Sequence, residues 1–298
     1  MQFIQEHSDV PVPRVFAYDL DENNAVGAAF ILIEVLPGSV AMDALGGYDV
    51  HRGVIPRGHR QTFYRSVAKH HVQLTSLRLP QIGTIVRNPK GGYECGPLPG
   101  IGGPFDTAAA FFEAWADSVK FKLDKETITL MMQNGPARMP AEQMIAIIEN
   151  FPSQIKAMAT RLSLYNKGPF PLAHVDFLHS NIMVDDSFCV TGIIDWEDAC
   201  TVPYELLTFP DFLTAMPVSF DLPQKYDQYG QPLGEELREL WRERGEYVKM
   251  VKSTEHKDSM LSDCLACKRS QAIAYLYGAY TSVGKLGYYD RVMEELRV

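Results

Sequence analysis

One short stretch of this 298-residue chain concentrates side chains that bind metals or move protons. The stretch, PLAHVDFLHSNIMVDD at residues 171–186, contains two histidines, three aspartates and an asparagine among apolar residues. Side chains of these types can form a zinc site, a hydrolase site, a phosphoryl-transfer loop or an ordinary polar turn. The sequence on either side has to decide between these four interpretations.

The spacing of two aspartates and the asparagine favours phosphoryl transfer. Asn181 follows Asp176 by five positions, and Asp195 comes after the strand pair that follows. Kinases arrange a loop aspartate, a nearby asparagine and a second aspartate in this order. Their chemistry needs one carboxylate that faces the acceptor hydroxyl. It also needs an amide oxygen and a second carboxylate as ligands for Mg²⁺, a cation that prefers oxygen.

Zinc is the main alternative for His174, Asp176 and His179. A structural zinc site usually takes four protein ligands and a catalytic site three, and the sequence has no H-E-x-x-H motif. Zinc would also leave Asn181 and Asp195 without a role. A purely structural turn, in which aspartates cap backbone amides, gives no reason for the joint spacing of the three oxygen-bearing residues.

Composition limits the class of protein. Hydrophobic residues make up 46% of the chain and charged residues 22%, which is typical of a soluble globular protein. The net charge of -9 argues against a nucleic-acid partner and is compatible with a cationic substrate. No apolar run reaches the ~18 residues that span a bilayer, and five scattered cysteines indicate a reducing compartment. We therefore expect a cytoplasmic protein with no membrane partner.

The elements that position the polar stretch form a small β portion followed by a large α portion. Alternating apolar residues predict strands at 14–20 and 28–36, which would pair as a hairpin. A buried strand is predicted at 188–196, just after the polar stretch. Helical periodicity predicts helices at 61–79, 108–123, 141–164, 234–252 and 263–285, the second of them capped by Asp106 or Thr107.

The stretch HVDFLHSNIMVDDSFCVTGIIDWEDA resembles the aminoglycoside phosphotransferase family, whose members show H-G-D-x-H-x-x-N and, after a hairpin, I-D-W-E. EHSDVPVPRVFAYD, FILIEVLPG and GPFDTAAAFFEAW are similar to segments of its fungal-type branch, in the same order. The resemblance runs to about Asp211. It implies an α+β, protein-kinase-like bilobal fold. A reduced N-lobe of few strands, with the hinge, would take residues 1–38, and a large, mostly α-helical C-lobe with the catalytic loop would take residues 39–298.

The resemblance also implies a role for the catalytic loop. Asp176 corresponds to the catalytic base, or to the residue that orients the acceptor hydroxyl. His174 corresponds to a residue that braces the loop, and His179 to one near the phosphate or the loop backbone. Val175 stands where the family commonly has glycine. The implied reaction moves the γ-phosphate of ATP to a hydroxyl of a small molecule, which the acidic composition allows to be cationic.

The cofactor positions follow from the same resemblance. Asn181 and Asp195 correspond to the ligands of Mg²⁺. Glu34, Val35 and Leu36 correspond to the hinge, where backbone groups of the family bind adenine. ATP and Mg²⁺ are therefore the expected cofactors.

Part of the family's nucleotide site has no counterpart in the sequence. The family places a Gly-rich loop, a strand lysine and its glutamate partner before the hinge, and none of these is found upstream of Ile31. The resemblance therefore implies an N-terminally truncated chain. It leaves a second interpretation open, a catalytically impaired pseudokinase that binds a ligand or a partner. It also predicts an unpaired apolar strand edge at 28–36, through which the chain would self-associate.

Overall fold

The structure is a computed structural model that describes residues 1–135 and 139–298. The described part contains ten α-helices and ten β-strands. The helices are α1 (Gln2–His7), α2 (Gly47–His51), α3 (Arg57–Ser76), α4 (Ala108–Ser118), α5 (Lys125–Asn134), α6 (Ala141–Leu162), α7 (Glu235–Thr254), α8 (Leu261–Ala266), α9 (Lys268–Gly278) and α10 (Tyr289–Arg297). The strands are β1 (Val15–Asp19), β2 (Phe30–Ile33), β3 (Ser39–Val40), β4 (Arg78–Leu79), β5 (Thr84–Arg87), β6 (Tyr93–Gly96), β7 (Phe170–Ala173), β8 (Ile182–Val184), β9 (Val190–Ile193) and β10 (Cys200–Thr201).

The described strands form three small sheets. β1 and β2 make an antiparallel pair, β4-β7-β10-β5-β6 make a five-stranded sheet, and β3-β8-β9 make a three-stranded sheet. In the last sheet Ser39 of β3 pairs with Val184 of β8, and Ile182 of β8 pairs with Ile193 of β9. This sheet therefore joins the segment after the first hairpin to the segment that carries the polar stretch.

The helical body is held together by apolar residues at helical spacing. In α6, Met144, Ile147 and Phe151 recur every three or four positions, and all three are buried. This face of α6 packs against α4, and α3 packs against α7 in the same way. Thr107 begins α4, because its hydroxyl accepts a hydrogen bond of 3.2 Å from the backbone amide of Ala110.

The first residues of the chain pack on the strands of the body. Ile4 and Val10 are buried in a small apolar cluster with Leu172 of β7 and Ile193 of β9. The amide of Ile193 donates to the carbonyl of Pro11 at 2.7 Å, which fixes this segment beside β9. Beyond it, the β1–β2 hairpin leaves the cluster, and every residue of β2 is exposed.

Most of the elements predicted from the sequence are confirmed. The confirmed elements are the helices predicted at 61–79, 108–123, 141–164 and 234–252, the hairpin predicted from 14–20 and 28–36, and the strand predicted at 188–196. The cap of α4 is Thr107, one of the two residues proposed for it. Within the described residues, no helix is both long and apolar enough to cross a membrane.

The single helix predicted for 263–285 is wrong. The helix is interrupted at Cys267, whose extended backbone separates α8 from α9. α9 then continues into a π-helical turn at Ala279–Val283. The side-chain amide of Gln271 donates to the carbonyl of Cys264 at 3.1 Å. This hydrogen bond gives a partner to a carbonyl beside the break, so that the break leaves fewer backbone groups unsatisfied.

A proline inside α6 depends on a tyrosine from the C-terminal part of the chain. Pro152 has no N–H, so the carbonyl of Ile148, one turn earlier, has no helical donor. The hydroxyl of Tyr280 donates to that carbonyl at 3.2 Å in a buried position. Burial raises the pKa of Tyr280 to about 12, which keeps the hydroxyl protonated at neutral pH. Tyr280 therefore replaces the hydrogen bond that Pro152 removes.

Replacement of Tyr280 by phenylalanine should lower the free energy of unfolding by about 1–3 kcal/mol, because the buried carbonyl loses its side-chain donor. In a Pro152→Ala background, residue 152 supplies a helical amide, and the same replacement should cost clearly less. Denaturant unfolding of the four proteins measures the coupling. Equal costs of Tyr280→Phe in both backgrounds would show that the hydroxyl does not serve the Ile148 carbonyl.

Candidate active site

The predicted site residues lie on the loop between β7 and β8 and directly after β9. The hairpin of β8 and β9 places Ile182 opposite Ile193, and the amide of Ile194 donates to the carbonyl of Asn181 at 2.9 Å. This antiparallel register brings Asn181 and Asp195 to the same end of the hairpin. Main-chain hydrogen bonds therefore hold the two predicted metal ligands near each other.

Asn181 connects this pair to Asp176. The Nδ2 atom of Asn181 donates to the backbone carbonyl and to the Oδ2 atom of Asp176, each at 3.0 Å. These two hydrogen bonds use both amide protons and fix the orientation of the amide, so its oxygen points away from Asp176. Asn181 is buried, whereas Asp176 is exposed. Asn181 thus fixes the aspartate from the buried side of the loop, and the carboxylate of Asp176 remains accessible to a ligand.

His174 braces the end of β9 against the loop. Its Nε2 atom donates to the carbonyl of Ile194 at 2.8 Å, and its ring packs edge-on against Trp196 with centroids 4.4 Å apart. Burial lowers the pKa of His174, which keeps the imidazole neutral at pH 7. A neutral ring with its proton on Nε2 fits this single donated hydrogen bond.

His179 lies at the opposite side of the loop, against the segment that follows α2. A Cβ atom built on Gly53 would lie 3.4 Å from the Nε2 atom of His179. Burial lowers the pKa of His179, and the nearby charge of Asp211 opposes that shift. The backbone carbonyl of His179 accepts a hydrogen bond from the amide of Met42 at 3.3 Å. His179 therefore packs against the segment at Gly53, and within the described residues no hydrogen bond joins it to the carboxylate of Asp176.

The three predicted hinge residues connect the first hairpin to β3. The amide of Glu34 donates to the carbonyl of Arg14 at 2.8 Å and extends the pairing of β1 with β2. The side chain of Val35 is 94% exposed, and its backbone groups make no hydrogen bond within the described residues. Leu36 packs on Gly192 of β9, where any side chain would collide with it. This segment is thus held by β9 at Leu36 and open at Val35.

Two residues of the site have left-handed backbone conformations. Val175 has a φ of 52° and Asp195 a φ of 64°. Aspartate tolerates this region, but a β-branched residue crowds its own carbonyl there. The family pattern has glycine where this chain has Val175, and glycine adopts positive φ without strain. The loop geometry is therefore kept at an energetic cost.

A cavity of about 890 Å³ opens beside Asp176. Its volume falls in the range of sites that hold small molecules. Most of its wall is apolar, with Phe177, Leu237, Leu240 and Val283 among the lining residues. The loop supplies one part of this wall, the segment 208–225 supplies a second, and α7, α9 and the π-helical turn supply most of the rest.

Apart from Asp176, the charged residues of the cavity come from parts of the chain in which the sequence shows no motif. Asp211 and Glu236 line it with exposed side chains, and Lys285 lines it with a partly buried one. A second lysine, Lys225, is neutralised there by Asp221 at 2.9 Å. Only the fold brings these residues to Asp176, because they lie far beyond the catalytic stretch and follow no recognisable spacing.

The acidic residues that follow Asp195 in the sequence do not line this cavity. Glu197 and Asp198 are exposed elsewhere, and Glu205 is completely buried. The Oε1 atom of Glu205 accepts a hydrogen bond from the amide of Tyr165 at 3.0 Å, and burial raises the pKa of its carboxyl group. Glu205 is therefore a structural residue.

The donor set of the site fits a hard cation. The amide oxygen of Asn181 and the exposed carboxylate of Asp195 are ligands of the type that Mg²⁺ prefers. In residues 1–135 and 139–298, no group of three or more His, Cys, Asp or Glu residues is placed to hold a metal ion together. His174 and His179 face different partners, so these residues offer zinc no converging set of ligands.

A comparison with protein families agrees with this site. The model of the phosphotransferase enzyme family, APH, matches residues 1–205, which include the loop, the β8–β9 hairpin and Asp195. The chain belongs to this family. Membership and the mixed architecture confirm the predicted fold class, an α+β kinase-like fold. No curated protein matches the chain.

Solved structures similar to this chain include phosphotransferases of low sequence identity. A candidate aminoglycoside phosphotransferase from Ralstonia eutropha is 16% identical, with a TM-score of 0.42 over 98% of this chain and 78% of the other. Aminoglycoside phosphotransferase APH(2'')-Ib with bound ADP is 13% identical, with a TM-score of 0.41 over 98% and 71%. APH(2'')-IIa in complex with gentamicin is 14% identical, with a TM-score of 0.39 over 99% and 74%. The family model alone carries the assignment.

Replacement of Val175 by glycine should raise the free energy of unfolding by about 1 kcal/mol, because it removes the left-handed strain of a β-branched residue. The side chain is 59% exposed, so little buried surface is lost. Val283, which is 65% exposed in the π-helical turn, is the matched control, and Val283→Gly should destabilise the protein. Thermal unfolding measures both changes. A loss of stability in Val175→Gly would show that residue 175 is not strained.

Proposed function

We propose that this chain transfers the γ-phosphate of ATP, with Mg²⁺, to a hydroxyl group of a small molecule. The observation that carries the proposal is the pair of hydrogen bonds from Asn181 to Asp176, together with the main-chain bond that links Asn181 to the residue before Asp195. A base for the acceptor and two ligands for a phosphate-bound cation are thereby held as one unit. A merely structural turn has no need for this combination.

The nucleotide would bind between the hinge and the β8–β9 hairpin. Support comes from Val35, whose backbone amide and carbonyl make no hydrogen bond to any residue that the structure describes and can receive the edge of a purine base. Leu36 would contact the base from the side of β9, and Glu34 would keep the strand in register. In this proposal residues 1–38 contribute the adenine side of the site, and residues 39–298 contribute the catalytic loop and the acceptor side.

Asn181 and Asp195 would hold Mg²⁺ through the amide oxygen and the carboxylate. When it is bound, the cation supplies charge neutralisation for the phosphate oxygens. The protein contributes the geometry. His174 fixes the end of β9 and therefore the start of the turn that carries Asp195. The hydrogen bonds of Asn181 prevent its amide from rotating, so that the oxygen stays available.

Asp176 would orient the acceptor hydroxyl and take its proton. Its Oδ2 atom is occupied by Asn181, and the other oxygen remains for the acceptor. The left-handed turn at Val175 sets the direction in which the carboxylate points.

The acceptor would occupy the cavity beside Asp176. Asp176, Asp211 and Glu236 give this space three carboxylates, and Lys225 is already paired with Asp221. Lys285 is then the remaining lysine of the lining, with its amino group 5.6 Å from the centre of the Tyr275 ring. This excess of negative charge favours an acceptor with a positive charge, and the apolar wall favours one with a sizeable hydrocarbon body.

Asn181→Ala and Asp195→Ala should each abolish the stabilisation of the protein by ATP with Mg²⁺, because either change leaves phosphate charge uncompensated. Thermal shift in a titration with ATP, with and without Mg²⁺, measures this. Asp198→Ala removes an exposed carboxylate nearby and should keep the full shift. If both site variants also keep the full shift, the assignment of the metal ligands fails.

Asp176→Asn should retain the binding of ATP with Mg²⁺ and lose about 10²–10⁴-fold in phosphate transfer, because it removes the base and keeps the shape. Transfer of labelled γ-phosphate to a panel of hydroxylated amines measures turnover. Asp186→Asn, on the exposed turn between β8 and β9, is the control and should transfer at the wild-type rate. Near-normal transfer by Asp176→Asn would make this residue structural. Binding without transfer in the wild-type chain would favour the pseudokinase interpretation.

A further inference from the structure

One wall of the cavity beside Asp176 is a helix face with very small side chains. α9 and the π-helical turn that continues it line the cavity with Ala274, Gly278 and Ala279. Residues four positions apart lie on the same face of a helix, so Ala274 and Gly278 belong to one strip. Gly278 has no side chain at all. A molecule in the cavity can therefore approach the main chain of the helix closely at this residue.

The backbone conformation of Gly278 does not require glycine. Its φ of -65° and ψ of -42° are those of an ordinary α-helix, which any residue type adopts. Among the described residues, no atom outside the helix itself lies within 4 Å of a Cβ atom built on Gly278. Glycine is also less favourable than alanine in the interior of a helix. Neither a left-handed turn nor a packed neighbour explains this residue, whereas the open space of the cavity does.

The helical wall around Gly278 is held in place from its far side. The indole of Trp115 on α4 donates to the hydroxyl of Thr281 at 3.1 Å. The amino group of Lys122 donates to the carbonyl of Ser282. Both acceptors belong to the π-helical turn, a type of turn that is frequent at functional sites. A larger side chain at residue 278 would therefore take its space from the cavity, because the wall behind it is already attached.

Other apolar parts of the lining can hold the same molecule. α7 contributes Leu237 and Leu240, and the catalytic loop contributes Phe177 next to Asp176. Removal of apolar surface from water stabilises a complex roughly in proportion to the area buried. A hydrocarbon body that contacts both the strip on α9 and the leucines of α7 buries more of this surface than a narrow chain does.

We propose that Gly278 determines which acceptors the cavity takes, because its missing side chain leaves room for a wide, cyclic hydrocarbon body against α9. This inference rests on the proposed function, since it takes the cavity to be the acceptor site. The acceptor class is then a cyclic amino alcohol, with its hydroxyl at Asp176, its ammonium group at the carboxylates of Asp211 and Glu236, and its rings on the bare helix face.

Three amino alcohols of increasing width test this inference: aminohexanol, which is linear, aminocyclohexanol, which has one ring, and aminoadamantanol, which is a cage of fused rings. Calorimetric titration without nucleotide measures their binding, and transfer of labelled γ-phosphate measures turnover. The wild-type chain should bind the cage most tightly. Gly278→Leu should weaken binding of the cage and raise its KM by roughly 10- to 100-fold, because the added side chain overfills the site. Binding of the linear compound should change little, and Gly278→Ala should show the same order with smaller effects.

Gly245 is the matched control for this substitution. It lies inside α7 with equally open space at its Cβ position, and it does not line the cavity. Gly245→Leu should therefore bind and phosphorylate all three compounds like the wild-type chain. Leucine and alanine favour a helix more than glycine does, so thermal unfolding should find every variant at least as stable as the wild type. A loss of cage binding without a loss of stability separates a role in the cavity from a role in the fold.

Two outcomes would overturn the inference: Gly278→Leu that binds the cage like the wild type, or a wild-type chain that binds the linear compound as tightly as the cage. Failure of the proposed function looks different. If the cage binds as described and no phosphate is transferred, the transfer fails and the role of Gly278 stands. If every variant transfers phosphate to the cage at the wild-type rate, the transfer stands and the role of Gly278 fails.

Discussion

The hydrogen bond between the amide of Ile194 and the carbonyl of Asn181 is the contact on which the candidate site depends. It fixes the register in which β8 and β9 pair, and both predicted metal ligands lie within one residue of it. The carbonyl of Ile194 accepts a hydrogen bond from the Nε2 atom of His174. The loop that carries Asp176 is therefore attached to Ile194 as well. A slip of one residue in this register would turn every side chain of β9 to the other face of the sheet. The proposed function therefore depends on the main-chain hydrogen bonds between β8 and β9 as much as on the side chains of Asp176, Asn181 and Asp195.

The sequence predicted the site residues that are close together along the chain, because short loops and hairpins keep such residues close in space. Asp176 and Asn181 share one loop, and a short hairpin separates them from Asp195, so their spacing is enough to predict that they lie together. The residues that line the cavity have no such relation. Asp211 and Glu236 reach it from a turn and from α7, and no pattern of residue types marks them. Glu205 shows the converse, because it lies near the motif in the sequence and is buried away from the cavity.

The contact between Tyr280 and α6 also bears on how such a sequence could have arisen. A chain with Pro152 and no Tyr280 would carry an unsatisfied carbonyl at Ile148, at a cost of about 1–3 kcal/mol. A chain with Tyr280 and no Pro152 would lose little, since the hydroxyl could share that carbonyl with a helical amide. The less costly order of the two substitutions is therefore tyrosine first. With both present, loss of the tyrosine would leave the carbonyl without a donor, so the proline makes a dispensable hydroxyl a necessary one.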